Sequence, residues 1–235
     1  MKINILLCDR FPGLLPEYIP SYEWMFMDLF SRNSMEELEY EVFPVMEGVY
    51  PARINTKDIY LVTGSNNGVY DDVEWVKKLL EWIRMADREQ LKVVGICFGH
   101  QAVAQALGGR VEKAPQGWGT GIRVSTIEGE EARDWFTDGK LRLMYNHHDQ
   151  VVELPPEAVR FATSDFCPND GFYVGDHIIT FQGHPEYDPC YNVHLIMDFA
   201  DDEPQAVKDA ALRSIGNMHH QGNLVARWLL SRYFK

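Results

Sequence analysis

The sequence predicts an α/β fold in which helices cover a mostly parallel sheet that carries a short antiparallel extension. Short β-branched runs alternate with longer amphipathic segments between residues 2 and 107, which is the pattern of parallel strands joined by helices. From Gly121 to Gly183 the pattern changes to several short strands separated by turn signals. No Pro/Gly/Ser-rich linker or internal repeat divides the chain, so we expect residues 1–235 to form a single domain.

The predicted elements follow the chain in order. The strands are Lys2–Cys8, Glu41–Val45, Asp58–Thr63, Leu91–Ile96 and, after the antiparallel region, Ile178–Phe181; the helices are Tyr22–Ser31, Glu74–Ala86, His100–Leu107 and Ala206–Phe234. Pro44 removes a hydrogen-bond donor from its strand, so we expect that strand at an edge of the sheet. We expect the acidic run from Asp198 to Glu203 to be a solvated loop and helix start.

Composition and charge exclude several classes of partner. The net charge of −13 argues against nucleic acid or an anionic membrane, because both select basic surfaces. No apolar run reaches the ~20 residues that a membrane-spanning helix needs, and the N-terminus lacks the small-residue cleavage site of a signal peptide. Cys8, Cys167 and Cys190 have no elbow or base nearby in sequence, so we expect them to be packing residues. With no C-x-x-C pair in the chain, these features indicate a cytoplasmic protein with reduced thiols.

Gly95-Ile96-Cys97-Phe98-Gly99 has the G-x-C-x-G pattern of a nucleophile elbow, a sharp turn between a strand and a helix. Such a turn projects Cys97 above the sheet, and the flanking glycines let chain and substrate approach closely. The N-terminus of the following helix favours a thiolate, and the Phe98 N–H is placed to help hold a developing oxyanion. A free cysteine is also commonly a small buried apolar residue, so the elbow alone leaves both interpretations open.

Gly183-His184-Pro185-Glu186 follows the predicted strand Ile178–Phe181. A cysteine nucleophile needs a nearby base, and the base needs an orienting partner. Residues two apart in an extended segment face the same side, so His184 and Glu186 can turn toward one site. Together with the elbow, this spacing predicts a catalytic triad of Cys97, His184 and Glu186.

The motifs G-x-C-x-G-x-Q, from Gly95 to Gln101, and H-P-E, from His184 to Glu186, resemble the signature of class I glutamine amidotransferases. The resemblance runs through nearly the whole chain and is closest to the GMP-synthase-type glutaminase domain. It implies a doubly wound α/β domain, a Cys-His-Glu triad, and a γ-glutamyl thioester that water hydrolyses, with ammonia as the product. The stretch from Gly64 to Trp75 is more similar to free-standing relatives, including plant γ-glutamyl peptidases.

Three further segments match the pattern of that family. Thr63-Gly64-Ser65 lies where the family places its other oxyanion donor, a backbone N–H on a Gly-rich turn. The family usually has two adjacent glycines there, so either Gly64 or Ser65 is a candidate for that donor. Gln101 matches the position that contacts glutamine. The segment 146–151 resembles the one that holds the amino-acid end of the substrate, which assigns His148 and Asp149 to substrate binding.

The resemblance leaves the leaving group open. In one version glutamine is the substrate and its ammonia passes to a separate synthetase subunit. In another the protein is a stand-alone γ-glutamyl peptidase that releases an amino acid or a peptide. A non-catalytic relative that binds a γ-glutamyl or nucleotide-derived ligand is a third version, although the complete triad favours an enzyme.

The sequence indicates no cofactor and no metal. The adjacent pairs His147-His148 and His219-His220 are not accompanied by a carboxylate or thiol cluster, and neighbouring side chains on a helix point roughly 100° apart. Metal sites need several convergent ligands. A Gly-rich phosphate cradle is also absent from the sequence, so we expect no nucleotide site.

Overall fold

The computed structural model describes residues 2–11, 13–199 and 203–233. Strands and helices of the first half are β1 (Lys2–Leu7), α1 (Tyr22–Ser31), β2 (Glu39–Pro44), β3 (Ile59–Val62), α2 (Glu74–Arg88), β4 (Lys92–Ile96) and α3 (Phe98–Ala106). The elements that follow are β5 (Arg110–Lys113), β6 (Gly119–Ile127), α4 (Glu130–Trp135), β7 (Lys140–His147), β8 (Asp149–Glu153), β9 (Ala158–Thr163), β10 (Gly171–Val174) and β11 (Ile178–Phe181). Three helices complete the described chain, α5 (Pro189–Asp198), α6 (Gln205–Asn217) and α7 (Gly222–Tyr233).

A nine-stranded sheet forms the centre, in the order β2-β1-β3-β4-β11-β10-β9-β6-β7. The strands from β2 to β11 in this order run parallel, whereas β10, β9, β6 and β7 pair antiparallel. A separate antiparallel pair joins β5 to β8. The predicted fold class, a mostly parallel sheet with an antiparallel extension, is confirmed.

Two apolar clusters, one on each face of the sheet, hold the helices in place. Successive side chains of a strand point to opposite faces, and β1 accordingly places Ile5 in one cluster and Leu6 in the other. Helices α1 and α7 add Phe26 and Trp228 to the first cluster, and α2 adds Leu79 to the second. Because helices cover both faces, the sheet is doubly wound, as the resemblance implies.

Several boundaries differ from the prediction. Strand β2 is an edge strand, as Pro44 indicated, and a short 3-10 turn follows it at Val45–Glu47. Helix α3 begins at Phe98 rather than at His100, so the helix starts directly after the elbow cysteine. The C-terminal segment forms α6 and α7 instead of one helix, and its predicted end at Phe234 lies outside the described residues.

Helix α5 is missing from the sequence prediction. Asp188 caps it by accepting a hydrogen bond from the Tyr191 N–H at 2.8 Å, and Pro189 occupies its first turn. The prediction that Cys190 packs in the interior is wrong, because its helix turns Tyr191 and Leu195 toward the core and leaves Cys190 exposed. Cys8 and Cys167 are buried.

Across residues 2–11, 13–199 and 203–233, no helix combines the length and the apolar character that crossing a membrane requires.

Candidate active site

Cys97 lies in a strained turn between β4 and α3. Its φ of 52° and ψ of −104° place a non-glycine residue outside the regions that L-residues favour, and such strain is characteristic of functional positions. A Cβ on Gly99 would lie 2.2 Å from the Val62 carbonyl oxygen, and one on Gly95 would lie 2.7 Å from the Gly99 carbonyl oxygen. The elbow therefore needs Gly99 for close packing against β3 and Gly95 for close packing of its own backbone.

His184 and Glu186 follow β11, and both side chains are buried. The His184 Nδ1 lies 2.7 Å from Glu186 Oε1. The backbone of His184 is held from two sides, since its N–H donates to the Met144 carbonyl at 2.7 Å and its carbonyl oxygen lies 3.0 Å from His220 Nε2. The imidazole stacks on the Tyr187 ring at 3.9 Å. The histidine is thus fixed in both position and ring orientation.

The elbow and the His184–Glu186 pair meet because β4 and β11 are adjacent parallel strands that end at the same edge. The Cys97 N–H donates to the Phe181 carbonyl at 2.9 Å. A Cβ built on Gly64 would lie 3.2 Å from His184 Cε1 and 3.8 Å from Cys97 Cβ, so both side chains border the same glycine. Burial opposes a charge on His184, but the Glu186 carboxylate and the Cys97 sulfur outweigh it and raise its pKa to about 10. The arrangement favours an imidazolium beside the sulfur.

Tyr22 links this pair to the Gly64 turn, a contact that the sequence analysis missed. Its hydroxyl accepts a hydrogen bond from the Gly64 N–H at 3.2 Å and donates one to Glu186 Oε1 at 3.1 Å. A Cβ on Gly64 would lie 2.8 Å from that hydroxyl. The Gly64 N–H is therefore engaged, whereas Ser65 lines the cavity above Cys97.

A cavity of about 650 Å³ opens over Cys97. It brings together the residues that the sequence analysis assigned to substrate: Gln101, His148 and Asp149 all line it. His148 packs against Trp118 with ring centres 5.2 Å apart and the ring planes tilted by 34°. Ligand sites of small molecules commonly occupy about 300–1,000 Å³, so the cavity has room for a molecule larger than a single amino acid.

A chain of hydrogen bonds runs from the cavity wall to the Cys97 sulfur. Gln101 Nε2 donates to the Asp149 carbonyl at 2.8 Å and to Gln182 Oε1 at 3.1 Å. Gln182 Nε2 in turn lies 3.5 Å from Cys97 Sγ. Tyr70 donates to Asp149 Oδ2 at 2.8 Å. Gln182 and Tyr70 are absent from the predicted site; the position of Gln182 just before Gly183 at a strand end was the available signal.

Glu203 corrects a second expectation. It lies in the acidic run that was expected to be solvated, yet it is buried, lines the cavity, and accepts a hydrogen bond from the Thr120 hydroxyl at 2.7 Å. Burial raises its pKa. The cause is the packing of α6 on β6, where a Cβ on Gly121 would lie 2.6 Å from Ala211 Cα. Asp198, at the other end of the run, is exposed.

His147 and His220, one member of each adjacent pair of histidines, make structural contacts. Burial lowers the pKa of His147 to about 3 and that of His220 to about 4. Neutral His220 donates from Nε2 to the His184 carbonyl. In the described part of the chain, no three His, Cys, Asp or Glu side chains group in a way that could hold a metal ion.

Comparison with known proteins places this geometry in a family. Residues 28–200 match the model of the glutamine amidotransferase class-I family. The chain is 33% identical to γ-glutamyl peptidase 3 of Arabidopsis thaliana over 194 residues, which cover 79% of this chain and 76% of that protein. It is 30% identical to a glutamine amidotransferase-like protein of Gibberella zeae, with 80% and 78% of the two chains covered.

A solved structure, a glutamine amidotransferase from Thermotoga maritima, superposes with a TM-score of 0.75 at 19% identity and covers 100% of this chain and 98% of its own. The structural likeness shows the same fold. The family match and the sequence identities to the two relatives assign the chain to a family as well as to a fold. The chain belongs to the class I glutamine amidotransferase family.

Proposed function

We propose that this protein is a cysteine hydrolase that cleaves the γ-glutamyl amide C–N bond through a thioester on Cys97. The observation that carries the proposal is the meeting of Cys97 with the buried His184–Glu186 pair under a cavity. A nucleophile, a base and an orienting carboxylate are the parts that acyl transfer requires. The similarity to a γ-glutamyl peptidase of Arabidopsis thaliana supports the same class of bond.

In the first half of the reaction the Cys97 thiolate attacks the γ-carbonyl carbon, with the proton already on His184. The oxyanion that forms accepts hydrogen bonds from backbone N–H groups at the elbow and at the facing turn. We assign these to Phe98 and to Ser65, because the Gly64 N–H is engaged by Tyr22. His184 then donates its proton to the departing nitrogen, the C–N bond breaks, and a γ-glutamyl thioester remains.

In the second half a water molecule takes the place of the departed amine. Neutral His184 accepts one proton of that water, and the hydroxide attacks the thioester carbon. Collapse of the second tetrahedral intermediate breaks the C–S bond, releases glutamate and returns the thiolate beside the imidazolium. Glu186 holds the imidazole in one orientation throughout and stabilises its positive charge.

Two substrates fit this mechanism. Glutamine would give glutamate and ammonia, and the ammonia could serve a separate synthetase subunit. A γ-glutamyl conjugate would give glutamate and an amino acid or peptide, and the volume of the cavity, about 650 Å³, favours this second substrate. In both versions the 235 residues act as one catalytic domain in the cytoplasm.

The test is covalent labelling with a diazo-ketone analogue of glutamine, read by intact mass. We expect a single label on the wild type and none on Cys97→Ser, while Cys190→Ser, which removes an exposed thiol, keeps the label. Glutamate release from glutamine and from γ-glutamyl dipeptides then separates the two substrates. Labelling that persists in Cys97→Ser, or the absence of glutamate from every γ-glutamyl compound, would contradict the proposal.

A further inference from the structure

We propose that Gln182 is a catalytic residue that donates a hydrogen bond to the Cys97 thiolate, and that Gln101 positions it for this role. The inference rests on the proposed function in taking Cys97 as the nucleophile. It adds a donor to the sulfur beyond the triad and the oxyanion groups. It also connects the substrate wall of the cavity to the nucleophile.

The direction of the Gln182 amide follows from its neighbours. A backbone carbonyl can only accept hydrogen bonds, so the Asp149 carbonyl fixes the Gln101 side chain with Nε2 toward it, at 2.8 Å. The same Nε2 lies 3.1 Å from Gln182, which must therefore present its oxygen there. The Gln182 Nε2 is then left facing Cys97 Sγ at 3.5 Å. The order of donors and acceptors along these hydrogen bonds therefore determines that the amide nitrogen of Gln182, and not its oxygen, faces the sulfur.

The surroundings strengthen this contact. Gln182 is 0% exposed and Gln101 is 4% exposed, so water does not compete for these groups. The Gln182 backbone is anchored as well, since its N–H donates to the Asp170 carbonyl at 2.9 Å. A hydrogen bond to an ionised acceptor is about twice as strong as one between neutral groups. The donor therefore favours the thiolate over the thiol.

The same hydrogen bonds also determine which polar atom of Gln101 is available to a substrate. Its amide nitrogen has two N–H groups, and two acceptors, the Asp149 carbonyl and Gln182 Oε1, engage them. The remaining polar atom is the carbonyl oxygen, which accepts. Gln101 is thus suited to an ammonium or an amide N–H of the substrate and not to its carboxylate.

Alkylation by iodoacetamide tests the thiolate without any turnover. All variants carry Cys190→Ser, so that the exposed thiol does not react, and the rate at Cys97 is followed by peptide mass across a pH series. Gln182→Met keeps the length of the side chain but removes the donor. We expect alkylation about tenfold slower at a fixed pH below the midpoint, which is a displacement of about one pH unit. Gln182→Glu, which replaces the donor by a carboxylate, slows the reaction further.

Two other variants make the result specific. Gln101→Met leaves Gln182 in place but removes the group that orients it, and we expect a smaller shift in the same direction. Asn4→Leu, at a buried amide (3% exposed) of β1 that donates to the Ile59 carbonyl, controls for loss of a buried amide and should leave the profile unchanged.

The proposal is overturned if the Gln182→Met and Gln101→Met profiles coincide with wild type, or if Asn4→Leu moves the profile equally. If Gln182→Met does not fold, the Gln101→Met profile decides. The alkylation profile stands apart from the proposed hydrolysis. Failure to release glutamate would remove the proposed function and leave this result in place.

Discussion

The hydroxyl of Tyr22 joins the Gly64 N–H, next to the proposed oxyanion donor Ser65, to the Glu186 carboxylate. In Tyr22→Phe the N–H loses its acceptor and the carboxylate loses a donor. We expect kcat/KM for γ-glutamyl substrates to fall by about 10- to 100-fold, because a hydrogen bond to a charged group is worth about 1.5–3 kcal/mol. Tyr60→Phe is the control, since it removes a buried hydroxyl that accepts from the Asn55 N–H, away from the site. Equal losses of activity in the two variants would contradict a positioning role.

Glu186→Gln removes the charge that keeps His184 protonated. The pKa of His184 in the folded protein, about 10, lies above the unfolded value of about 6.5. A raised pKa contributes stability that is complete below the unfolded value and is lost as pH rises through the folded value. The difference in unfolding free energy between wild type and Glu186→Gln should therefore be largest near pH 6 and shrink toward pH 10. Urea unfolding across this range measures it, and a pH-independent difference would show that the charge pair is not responsible.

Among individual residues of the candidate site, those that belong to a local sequence motif could be predicted, whereas those that reach the site through tertiary packing could not. Cys97, His184 and Glu186 are recognisable because the elbow and the H-P-E segment are local patterns. Tyr22 reaches the site from a helix 164 positions away in sequence from Glu186. Nothing in the residues around Tyr22 indicates that contact, because the sheet and the packing of α1 create it.

Among the elements, the elbow depends most on exact packing. A Cβ on Gly99 would lie 2.2 Å from a backbone oxygen of β3, an atom that cannot move without displacing the strand. We expect Gly99→Ala to lower the free energy of unfolding by about 3 kcal/mol, at the upper end for overpacking, and to abolish labelling by the glutamine analogue.

Gly216→Ala is the matched control for that prediction. Gly216 lies in α6, is exposed, and has nothing within 4 Å of an added Cβ. Alanine is favoured over glycine in helices by up to about 1 kcal/mol, so this variant should be as stable as wild type or slightly more. Thermal unfolding of both variants checks the pair, and a Gly99→Ala protein with wild-type stability would contradict the packing argument.

The prediction of elements was good where a pattern is strong and local. Helix α2 has its apolar residues at helical spacing and was expected at nearly its observed bounds. Helix α5 follows the H-P-E segment, and its capping signal, Asp188-Pro189, is recognisable only afterwards. The break between α6 and α7 is set by packing, since a Cβ on Gly222 would lie 2.0 Å from the Pro185 carbonyl oxygen.

The response of the whole molecule to acid depends on buried neutral histidines. His100 is fully buried, and burial lowers its pKa to about 3. The Thr180 hydroxyl donates to the Phe172 carbonyl and therefore accepts from His100 Nδ1, at 2.8 Å. A folded pKa below the unfolded value of about 6.5 gives stability above that pH, which is lost as the pH falls. Protonation of His100 thus couples to unfolding of the domain.

His100→Asn keeps a donor near the Nδ1 position and removes the titration. Below about pH 6.5 the wild type should lose stability faster than the variant, by roughly 1.4 kcal/mol per pH unit. Urea unfolding at several pH values measures the two slopes, with His219→Asn, at an exposed histidine, as the control. Parallel slopes for wild type and His100→Asn would assign the acid response to other groups. Burial raises the pKa of Asp170. Protonation of Asp170 therefore favours the folded state as the pH falls, and it does so equally in wild type and His100→Asn.

For the whole molecule, the parallel part of the sheet was predictable and the order of the antiparallel part was not. Strands that alternate with helices admit few arrangements, because their crossovers are right-handed and local. The short strands between Gly121 and Gly183 can pair in many ways. In the structure β6 lies between β9 and β7. Packing between segments that are distant in sequence determines this order.

The position of β11 has a consequence for the synthesis of the protein. It is the last strand of the described residues, yet it lies between β4 and β10. While the ribosome adds the intervening residues, on the order of ten seconds at about 5–20 residues per second, β4 has an open edge and Cys97 lacks its proposed base. An unfinished chain therefore lacks the proposed site and can pair its exposed edge with another nascent chain. Insertion of β11 closes that edge and brings His184 beside Cys97 in the same step.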